Sequence, residues 1–319
     1  CMENGKGAIA RGLKNGLGVG STEFHTLRAD EEKLISEWIY RFLSLPRIRK
    51  LAKKNMTGSA GQKRVPKAFL ENVKIPLPPL NVQKHIADTL DKTQEIIDGH
   101  KKQLTELDNL IKAIFYEMFG DPIENNKNWR KVSLGEKIKV IGGYSFKSNE
   151  FSDDGIPVIK IGNINTGNFS DKGISYWNED IKLAKYLVFP GDIVISLTGT
   201  VGKDDYANVC ILPDYYPRYY LNQRNAKLEL KDNVNVRYLL YILKDKRIKG
   251  NLTGINRGIR QANISNKDIL KLSIPFPDLD LQNKFAENVT KIEEQKTIVK
   301  QAITESQNLF NSLMSEYFD

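Results

Sequence analysis

The sequence predicts an α+β fold with two β-rich domains, the first of them partial, separated by two long helices that pack on each other as a coiled coil. Three observations support this prediction: an internal repeat with an offset of 199 residues, a heptad pattern after each copy of a proline-rich motif, and short β-branched runs between the two heptad segments. A repeat this long indicates two copies of a whole domain unit and not a solenoid.

The repeat is clearest at the proline-rich motif itself. Ile75–Gln83 reads IPLPPLNVQ, and Ile274–Gln282 reads IPFPDLDLQ. The match extends upstream, where Gln62 aligns with Gln261. Downstream of each motif the pattern becomes helical, because prolines that cannot sit inside a helix are followed by long amphipathic stretches.

The repeat also sets the domain boundaries. Residues 1–80 match only the rear part of the second copy, so the first domain lacks a front portion. Helices are expected at 236–248 and at the equivalent 31–53. The predicted segments are the C-terminal part of the first domain at 1–80, the first spacer helix at 81–119, the second domain at 120–280 and the second spacer helix at 281–319.

The second domain reads as β-rich and irregular. Its β-branched runs are separated by Gly, Asn and Asp turns, which is typical of short strands joined by tight loops. The predicted strands are Lys139–Ile141, Val158–Ile161, Asp192–Ile195 and Asn225–Leu228.

The two spacer helices share one heptad frame. Apolar residues repeat every seven positions over about five heptads, which is the pattern of a coiled-coil seam. Where one helix has a polar residue in this frame, the other has an apolar residue at the aligned position: His100 aligns with Val299, and Ile97 aligns with Lys296. We therefore infer that the helices pack on each other; the alternative is that each covers only its own domain. The predicted seam comprises Leu90, Ile97, Leu104, Ile111, Val289, Ile303 and Phe310.

The composition fits a globular protein with a mild basic excess. The chain has 48 Lys and Arg against 39 Asp and Glu, a net charge of +9, with 40% hydrophobic and 27% charged residues. Its two cysteines, Cys1 and Cys210, cannot build a disulfide framework, so a reducing cytoplasmic setting is expected. No apolar run approaches the roughly 20 residues that span a bilayer, so no membrane association is expected.

Motifs for catalysis or metal binding are not found. Gly199–Lys203 suggests a phosphate-binding loop, but Leu197 stands where that loop needs glycine and Asp204 where it needs Ser or Thr. The three histidines are scattered, and no Cys, His and carboxylate cluster has metal-ligand spacing. We therefore predict no catalytic residue and no metal site.

Basic charge is concentrated in two stretches at equivalent places in the repeat. Neither 38–70 nor 246–267 contains a carboxylate. Basic runs are usually solvated faces, but two at matching positions favour nucleic acid as the partner. Interleaved Gln, Asn and Arg offer bidentate groups for base edges in the major groove. The predicted DNA contacts are Lys6, Lys14, Ser21, Lys63 and Arg64 in the first domain, and Lys160, Asn163, Ser196, Thr198, Lys203, Tyr219, Gln223, Arg224, Arg257, Arg260 and Gln261 in the second.

Several motifs in order resemble one family. They are Glu3–Ala10, Gly20–Phe24, the proline-rich motif in both copies, Pro190–Ser196 and the two long helices. With them the chain resembles the specificity (S) subunits of type I restriction–modification enzymes. The resemblance implies two target-recognition domains, each reading half of a split double-stranded DNA site, joined by two antiparallel helices.

The resemblance also implies a non-catalytic subunit that works with partners. Methyltransferase (M) subunits would dock on the helices and bring S-adenosylmethionine chemistry. Restriction (R) subunits would add ATP-driven translocation and cleavage, so S-adenosylmethionine, ATP and Mg²⁺ are expected on the partner subunits.

The partial first domain departs from the family pattern. A homodimer, in which this chain acts as a half-specificity subunit, or a complementing N-terminal fragment would restore two readers. Two other classes stay open: a stand-alone DNA methyltransferase or nuclease, and an assembly protein that binds partner helices without binding DNA.

Overall fold

The structure, a computed structural model, describes residues 6–21, 23–58, 63–254 and 261–318, the side chain of Gln261 excepted. The chain divides into two compact units. Unit 1 comprises Cys1–Glu106 and Lys296–Asp319, and unit 2 comprises Leu107–Gln295. No helix among the described residues is both long enough and apolar enough to cross a membrane.

Two helices of 40 residues dominate the helical content. The others are shorter, and all but Leu134–Lys137 lie in matching places in the two copies of the repeat. The described α-helices are α1 (Ser36–Ser44), α2 (Pro46–Lys54), α3 (Lys67–Asn72), α4 (Leu80–Phe119), α5 (Leu134–Lys137), α6 (Val236–Lys244), α7 (Lys246–Thr253), α8 (Asn266–Lys271) and α9 (Leu279–Phe318).

The described strands are short and all belong to unit 2. They are β1 (Lys131–Ser133), β2 (Ile138–Gly142), β3 (Ile156–Ile159), β4 (Ser175–Trp177), β5 (Leu187–Val188), β6 (Ile193–Ser196), β7 (Thr198–Thr200), β8 (Val209–Ile211), β9 (Tyr219–Leu221), β10 (Asn225–Leu230), β11 (Gln261–Asn263) and β12 (Ser273–Pro275).

The strands form two four-stranded sheets and two strand pairs. One sheet has the order β2-β10-β6-β8 and the other β4-β3-β9-β5, while β1 pairs with β12 and β7 with β11. The β3–β9 pair is parallel, with Val158 opposite Tyr220, and the remaining pairs are antiparallel. A core that includes Ile159, Val194 and Leu221 packs strands of both sheets together.

The two long helices run antiparallel, as the packing inside each unit shows. In unit 1 the beginning of α4, at Leu90, shares a core with the end of α9, at Phe318. In unit 2 the end of α4, at Phe119, lies with its ring centroid 5.3 Å from that of Phe285 near the beginning of α9. The predicted α+β class with two packed helices is therefore confirmed. Among the described residues of unit 1, β structure is limited to a bridge between Thr57 and Arg64.

The heptad seam is visible in the burial of its members. A fully buried Leu or Ile side chain contributes about 1.5–3 kcal/mol relative to an exposed one, so each buried member stabilises the unit in which it lies. Leu90, Ile97, Ile111 and Val289 are buried, and Leu104, Ile303 and Phe310 are half-buried.

Equivalent residues of the repeat make equivalent hydrogen bonds. Gln83 and Gln282 are both fully buried. Gln83 accepts from the backbone N–H of Ile35 at 3.2 Å, and Gln282 accepts from that of Asn235 at 2.9 Å. Each also donates to a proline carbonyl five residues earlier in the chain. At the proline-rich motif of each copy, the glutamine side chain thus joins the start of a long helix to the segment that precedes the pair of short helices, α1 and α2 in unit 1 and α6 and α7 in unit 2.

The predicted helices at 31–53 and 236–248 are each two helices, which corrects the sequence-based assignment. In unit 1 the break falls at Leu45, whose ψ of 133° is extended because Pro46 follows it. In unit 2 it falls at Asp245, whose carboxylate accepts from the backbone N–H groups of Arg247 and Ile248 and so caps α7.

Candidate nucleic-acid interface

One edge of unit 2 brings together polar segments that are distant in sequence. We call it the polar edge: the turn at Gln223–Arg224, the strand β7 with the turn that follows it to Lys203, and the strand β11. Backbone hydrogen bonds join the segments, since the N–H of Leu197 donates to the carbonyl of Arg224 at 2.8 Å and that of Ile264 donates to the carbonyl of Leu197 at 2.8 Å. The edge is therefore continuous.

The turn at Gln223–Arg224 is held by its neighbours. Asn225 is fully buried and donates from Nδ2 to the carbonyl of Ile159 at 2.9 Å. The backbone N–H of Asn222 donates to the same carbonyl at 3.1 Å, and its Oδ1 accepts from the N–H of Arg224 at 3.2 Å. The backbone of this turn is fixed while the side chains of Gln223 and Arg224 stay exposed.

The turn after β7 depends on a glycine and a carboxylate. A Cβ on Gly199 would lie 2.4 Å from Oδ1 of Asp205, so only glycine allows this approach. Asp205 accepts from the N–H of Thr200 at 2.8 Å and from its hydroxyl at 2.9 Å. Burial raises the pKa of Asp205, but these hydrogen bonds outweigh that effect and hold it below its ordinary value. The exposed Lys203 is presented by this turn.

Four predicted contacts of the second domain whose side chains are described lie on the polar edge, as does the backbone of Gln261. Lys203, Gln223 and Arg224 are exposed, and Thr198 is half-buried opposite Asn263 of β11. Asn263 is also exposed, and sequence reasoning missed it. The sequence does contain a signal for Asn263, because Ala262 stands between two polar residues and such alternation is typical of a half-buried strand.

Three predicted contacts are wrong because the fold buries their side chains. Asn163 accepts from the N–H of Lys160 and donates to the carbonyl of Ser170 at 2.8 Å. The hydroxyl of Ser196 accepts from the N–H of Asn208 at 3.1 Å, and that of Tyr219 donates to the carbonyl of Pro213 at 2.7 Å. These groups complete internal hydrogen bonds, so they support the loops and do not face a ligand.

The other predicted contacts of the second domain are less exposed or not described. Lys160 is half-buried, with Nζ donating to the hydroxyl of Ser175 at 2.7 Å and lying 5.3 Å from the ring centroid of Phe151. Arg257 and Arg260 lie outside the described residues. The backbone of Gln261 is opposite Thr200 in β11.

The predicted contacts of the first domain all lie on the surface of unit 1. Lys6, Lys14, Ser21, Lys63 and Arg64 are exposed. Arg64 forms an ion pair with Glu23, and the hydroxyl of Ser21 accepts from the N–H of Glu23 at 3.2 Å. These contacts place Ser21 and Arg64 beside the same carboxylate residue.

The acid-free stretches carry less unpaired positive charge than the sequence indicates. In 38–70, the half-buried ion pair of Arg41 with Asp91 neutralises one charge. In 246–267, the buried Lys249 pairs with Asp204, and Arg247 pairs with Asp121 at 2.8 Å. Carboxylates distant in sequence lie against these stretches, so some of the arginines and lysines in the stretches form ion pairs within the protein.

Reactive side chains in the described residues are few. Burial raises the pKa of the Cys210 thiol to about 12, which keeps this thiol neutral inside the core. No three His, Cys, Asp or Glu side chains of the described part of the chain are grouped so that they would hold a metal ion.

Comparison with known proteins gives a consistent relationship. The family described as "Type I restriction modification DNA specificity domain" matches residues 13–109 and 126–306. The MjaVIII type I restriction enzyme specificity subunit of Methanocaldococcus jannaschii is 28% identical over 284 residues, covering 84% of this chain and 66% of that protein. The EcoAI specificity subunit of Escherichia coli is 43% identical over 139 residues, covering 42% of this chain and 24% of that protein. The chain thus spans less than two thirds of the length of these relatives.

A solved structure shows the same fold at low sequence identity. The S subunit of a type I restriction–modification system from M. genitalium aligns with a TM-score of 0.55 at 16% identity, covering 91% of this chain and 74% of that chain. The family model matches residues 13–109 and 126–306, which is more than half of the chain, so the chain belongs to the type I restriction modification DNA specificity domain family.

Proposed function

We propose that this chain is the non-catalytic, sequence-specific DNA-binding subunit of a type I restriction–modification enzyme. The observation that supports this most directly is the polar edge of unit 2, where Thr198, Lys203, Gln223 and Arg224 from separate segments meet on one hydrogen-bonded surface. The relatives of this chain are named as specificity subunits, which agrees with that role.

The chemistry of the polar edge suits double-stranded DNA. Arg224 has the geometry for bidentate hydrogen bonds to guanine O6 and N7, and Gln223 for those to adenine N6 and N7. Lys203 supplies a point charge for phosphate, which adds affinity without sequence information. Because the backbone under Gln223 and Arg224 is fixed, little backbone conformational entropy is lost when they bind, and the entropic cost is that of their side-chain rotamers.

The exposed basic residues of unit 1 form the second part of the proposed interface. Lys6, Lys14, Lys63 and Arg64 would contact a second half-site together with Ser21. A homodimer or a complementing fragment would complete this reader. M and R subunits are the proposed protein partners, with M docking on α4 and α9 and S-adenosylmethionine, ATP and Mg²⁺ bound by the partners.

The test compares base readers with phosphate contacts. The chain is co-expressed with the M subunit of its own system, the methylated site is mapped, and binding to duplexes with single base changes is measured by fluorescence anisotropy. Arg224→Ala should cost about 1–3 kcal/mol on the preferred site and relax one base position, whereas Lys203→Ala should weaken all duplexes alike and lower the salt dependence.

The matched control is Arg218→Ala. Arg218 is half-exposed and paired with Glu179 at 2.7 Å, outside the polar edge, so its loss should leave DNA binding unchanged. An equal loss of affinity for all duplexes in both the base-reader and the phosphate-contact variants would contradict the assignment of base readers.

Two further measurements address the other classes of protein. The purified chain incubated with DNA, Mg²⁺ and labelled S-adenosylmethionine should show no turnover, and turnover without added subunits would make it an enzyme. Failure of the assembled complex to retard any duplex at low salt would make it an assembly protein instead.

A further inference from the structure

Lys249 belongs to the second acid-free stretch, but its side chain points into the protein. The side chain is 9% exposed, and its ammonium group forms an ion pair with Asp204. Nζ also donates to Oδ1 of Asn208 at 2.7 Å. A lysine this buried needs polar partners inside the protein, because a buried charge without a partner is strongly destabilising. Lys249 therefore acts on other residues of the chain and does not itself reach a ligand.

Both partners of Lys249 lie in the segment 200–208, which we call the β7 loop because it begins at the end of β7. The N–H of Asn208 donates to the hydroxyl of Ser196 at 3.1 Å, and its side-chain Nδ2 donates to the carbonyl of Asp204 at 3.2 Å. The exposed Lys203 of the polar edge stands directly before Asp204 in this loop. The position of Lys203 thus depends on how the β7 loop is held.

The β7 loop contacts α7 at two points about one helical turn apart. One is Lys249, and the other is the carbonyl of Thr253, which accepts from the hydroxyl of the buried Tyr206 at 3.1 Å. Residues four apart are neighbours on the surface of a helix, so both contacts belong to the same side of α7. Of the two, Lys249 is the contact that bears on Lys203, because its ion-pair partner is the next residue in the loop.

The start of α7 is anchored to the end of α4. The hydroxyl of Tyr116 donates to the carboxylate of Asp245, which caps α7. Arg247 forms an ion pair with Asp121, two residues after α4, at 2.8 Å. Lys249 follows these contacts within about one helical turn, so it projects from a helix whose start is fixed.

The charges of the β7 loop make the ion pair of Lys249 important for an anionic ligand. Lys203 is followed in sequence by two carboxylates, Asp204 and Asp205. Asp205 accepts two hydrogen bonds from Thr200. Asp204 is 75% exposed, and its ion pair with Lys249 offsets a negative charge that would repel a phosphate bound by Lys203.

We propose that Lys249 is a positioning residue for DNA binding. It holds the β7 loop through Asp204 and Asn208, so that Lys203 is presented to a DNA phosphate, and it does not contact DNA itself. The inference rests on the proposed function for the identity of the ligand. It also separates Lys249 from the exposed lysines with which the charge pattern of the sequence groups it.

The first measurement tests the hold on the loop without DNA. Hydrogen exchange followed by mass spectrometry is compared for the wild-type chain, Lys249→Met and Lys249→Arg. The methionine keeps an unbranched side chain but removes the charge and the donors, so exchange should speed up in peptides that cover 200–208 while β10 keeps its protection. The arginine keeps the charge and the donors, so it should retain most of the protection of the loop.

The second measurement follows DNA binding of the complex with the cognate M subunit, by fluorescence anisotropy on the duplex found by methylation mapping. The double variant Lys249→Met, Asp204→Asn keeps the net charge of the wild type, so its effect reports the position of the loop. When salt rises from about 50 to about 200 mM, the affinity of this variant should fall about 3.5-fold less than that of the wild type, which corresponds to the loss of one phosphate contact. Lys203→Ala should behave in the same way.

Combining the substitutions shows through which residue Lys249 acts. Because the proposed effect is carried by Lys203, adding Lys203→Ala to the double variant should weaken binding no further than Lys203→Ala alone, a strongly non-additive result. Lys249→Arg should keep nearly the wild-type affinity and salt dependence. Additive losses would mean that Lys249 contacts phosphate itself, and they would overturn the proposal.

The remaining outcomes separate this inference from the proposed function. Unchanged exchange in 200–208 for Lys249→Met, or a double variant that melts at a lower temperature but binds DNA like the wild type, would contradict only the positioning role. A wild-type complex that binds no duplex would contradict the proposed function.

Discussion

Removing the aromatic residue at the end of either long helix should destabilise one unit and spare the other. Phe318 is 3% exposed, and its ring centroid lies 4.3 Å from that of Trp38 in the core of unit 1. Its counterpart Phe119 is also buried, with its centroid 4.8 Å from that of Tyr238 in the core of unit 2. Each helix thus ends in the core of the unit in which the other helix begins.

The magnitude follows from the burial of the ring. A buried Phe→Ala change costs about 3–5 kcal/mol through lost transfer free energy and the cavity left behind. Since domains are stable by about 5–15 kcal/mol, Phe318→Ala should remove a large fraction of the stability of unit 1. Phe119→Ala should do the same to unit 2.

Hydrogen exchange followed by mass spectrometry separates the two outcomes. Phe318→Ala should speed exchange in α1 and α2 while β6 and β10 keep their protection, and Phe119→Ala should reverse this pattern. Phe189→Ala is the matched control, because Phe189 is 48% exposed and its loss should change neither unit by more than about 0.5 kcal/mol. A loss of less than about 1 kcal/mol for Phe318→Ala, or equal loss of protection in both units, would refute the reasoning.

Four further substitutions test single interactions. Gly199→Ala should cost about 1–3 kcal/mol in thermal melts and lower DNA affinity, because the added Cβ displaces Asp205 and with it the turn of the polar edge. Asp205→Asn should cost about 1 kcal/mol at neutral pH. Hydrogen bonds from Thr200 lower the folded-state pKa of Asp205 below 3.8. The stability that the Asp205 carboxylate contributes is therefore present above pH 3.8 and is lost as the pH falls through the folded-state pKa. Thermal melts of the wild type and of Asp205→Asn should converge at that low pH. Gln83→Ala and Gln282→Ala should each cost about 2 kcal/mol in urea unfolding, since each leaves buried backbone groups unpaired; a neutral result for either would contradict the role of the proline-rich motif.

The helical part of the fold was predictable because its signal is local and repeated. Residues such as Leu90 and Ile97 recur at seven-residue spacing, and the same frame appears again 199 residues later. The breaks at Leu45 and Asp245 were missed, although Pro46 and the capping carboxylate of Asp245 were visible in the sequence.

The polar edge was only partly predictable because it depends on long-range pairing. The strands β7 and β11 have three residues each, which is too short to predict the pairing that places Thr198 beside Asn263. Tyr219 is likewise buried in β9, which pairs in parallel with the sequence-distant β3. Residue type alone does not separate an exposed polar group from one that completes an internal hydrogen bond.

The central claim is that the polar edge of unit 2 selects a DNA sequence. The most direct measurement is methylation mapping of DNA from cells that carry the cognate M subunit with either the wild-type chain or the Gln223→Ala, Arg224→Ala double variant. The account predicts that the variant loses or relaxes recognition at specific base positions of the site. An unchanged methylated sequence at unchanged efficiency would contradict it.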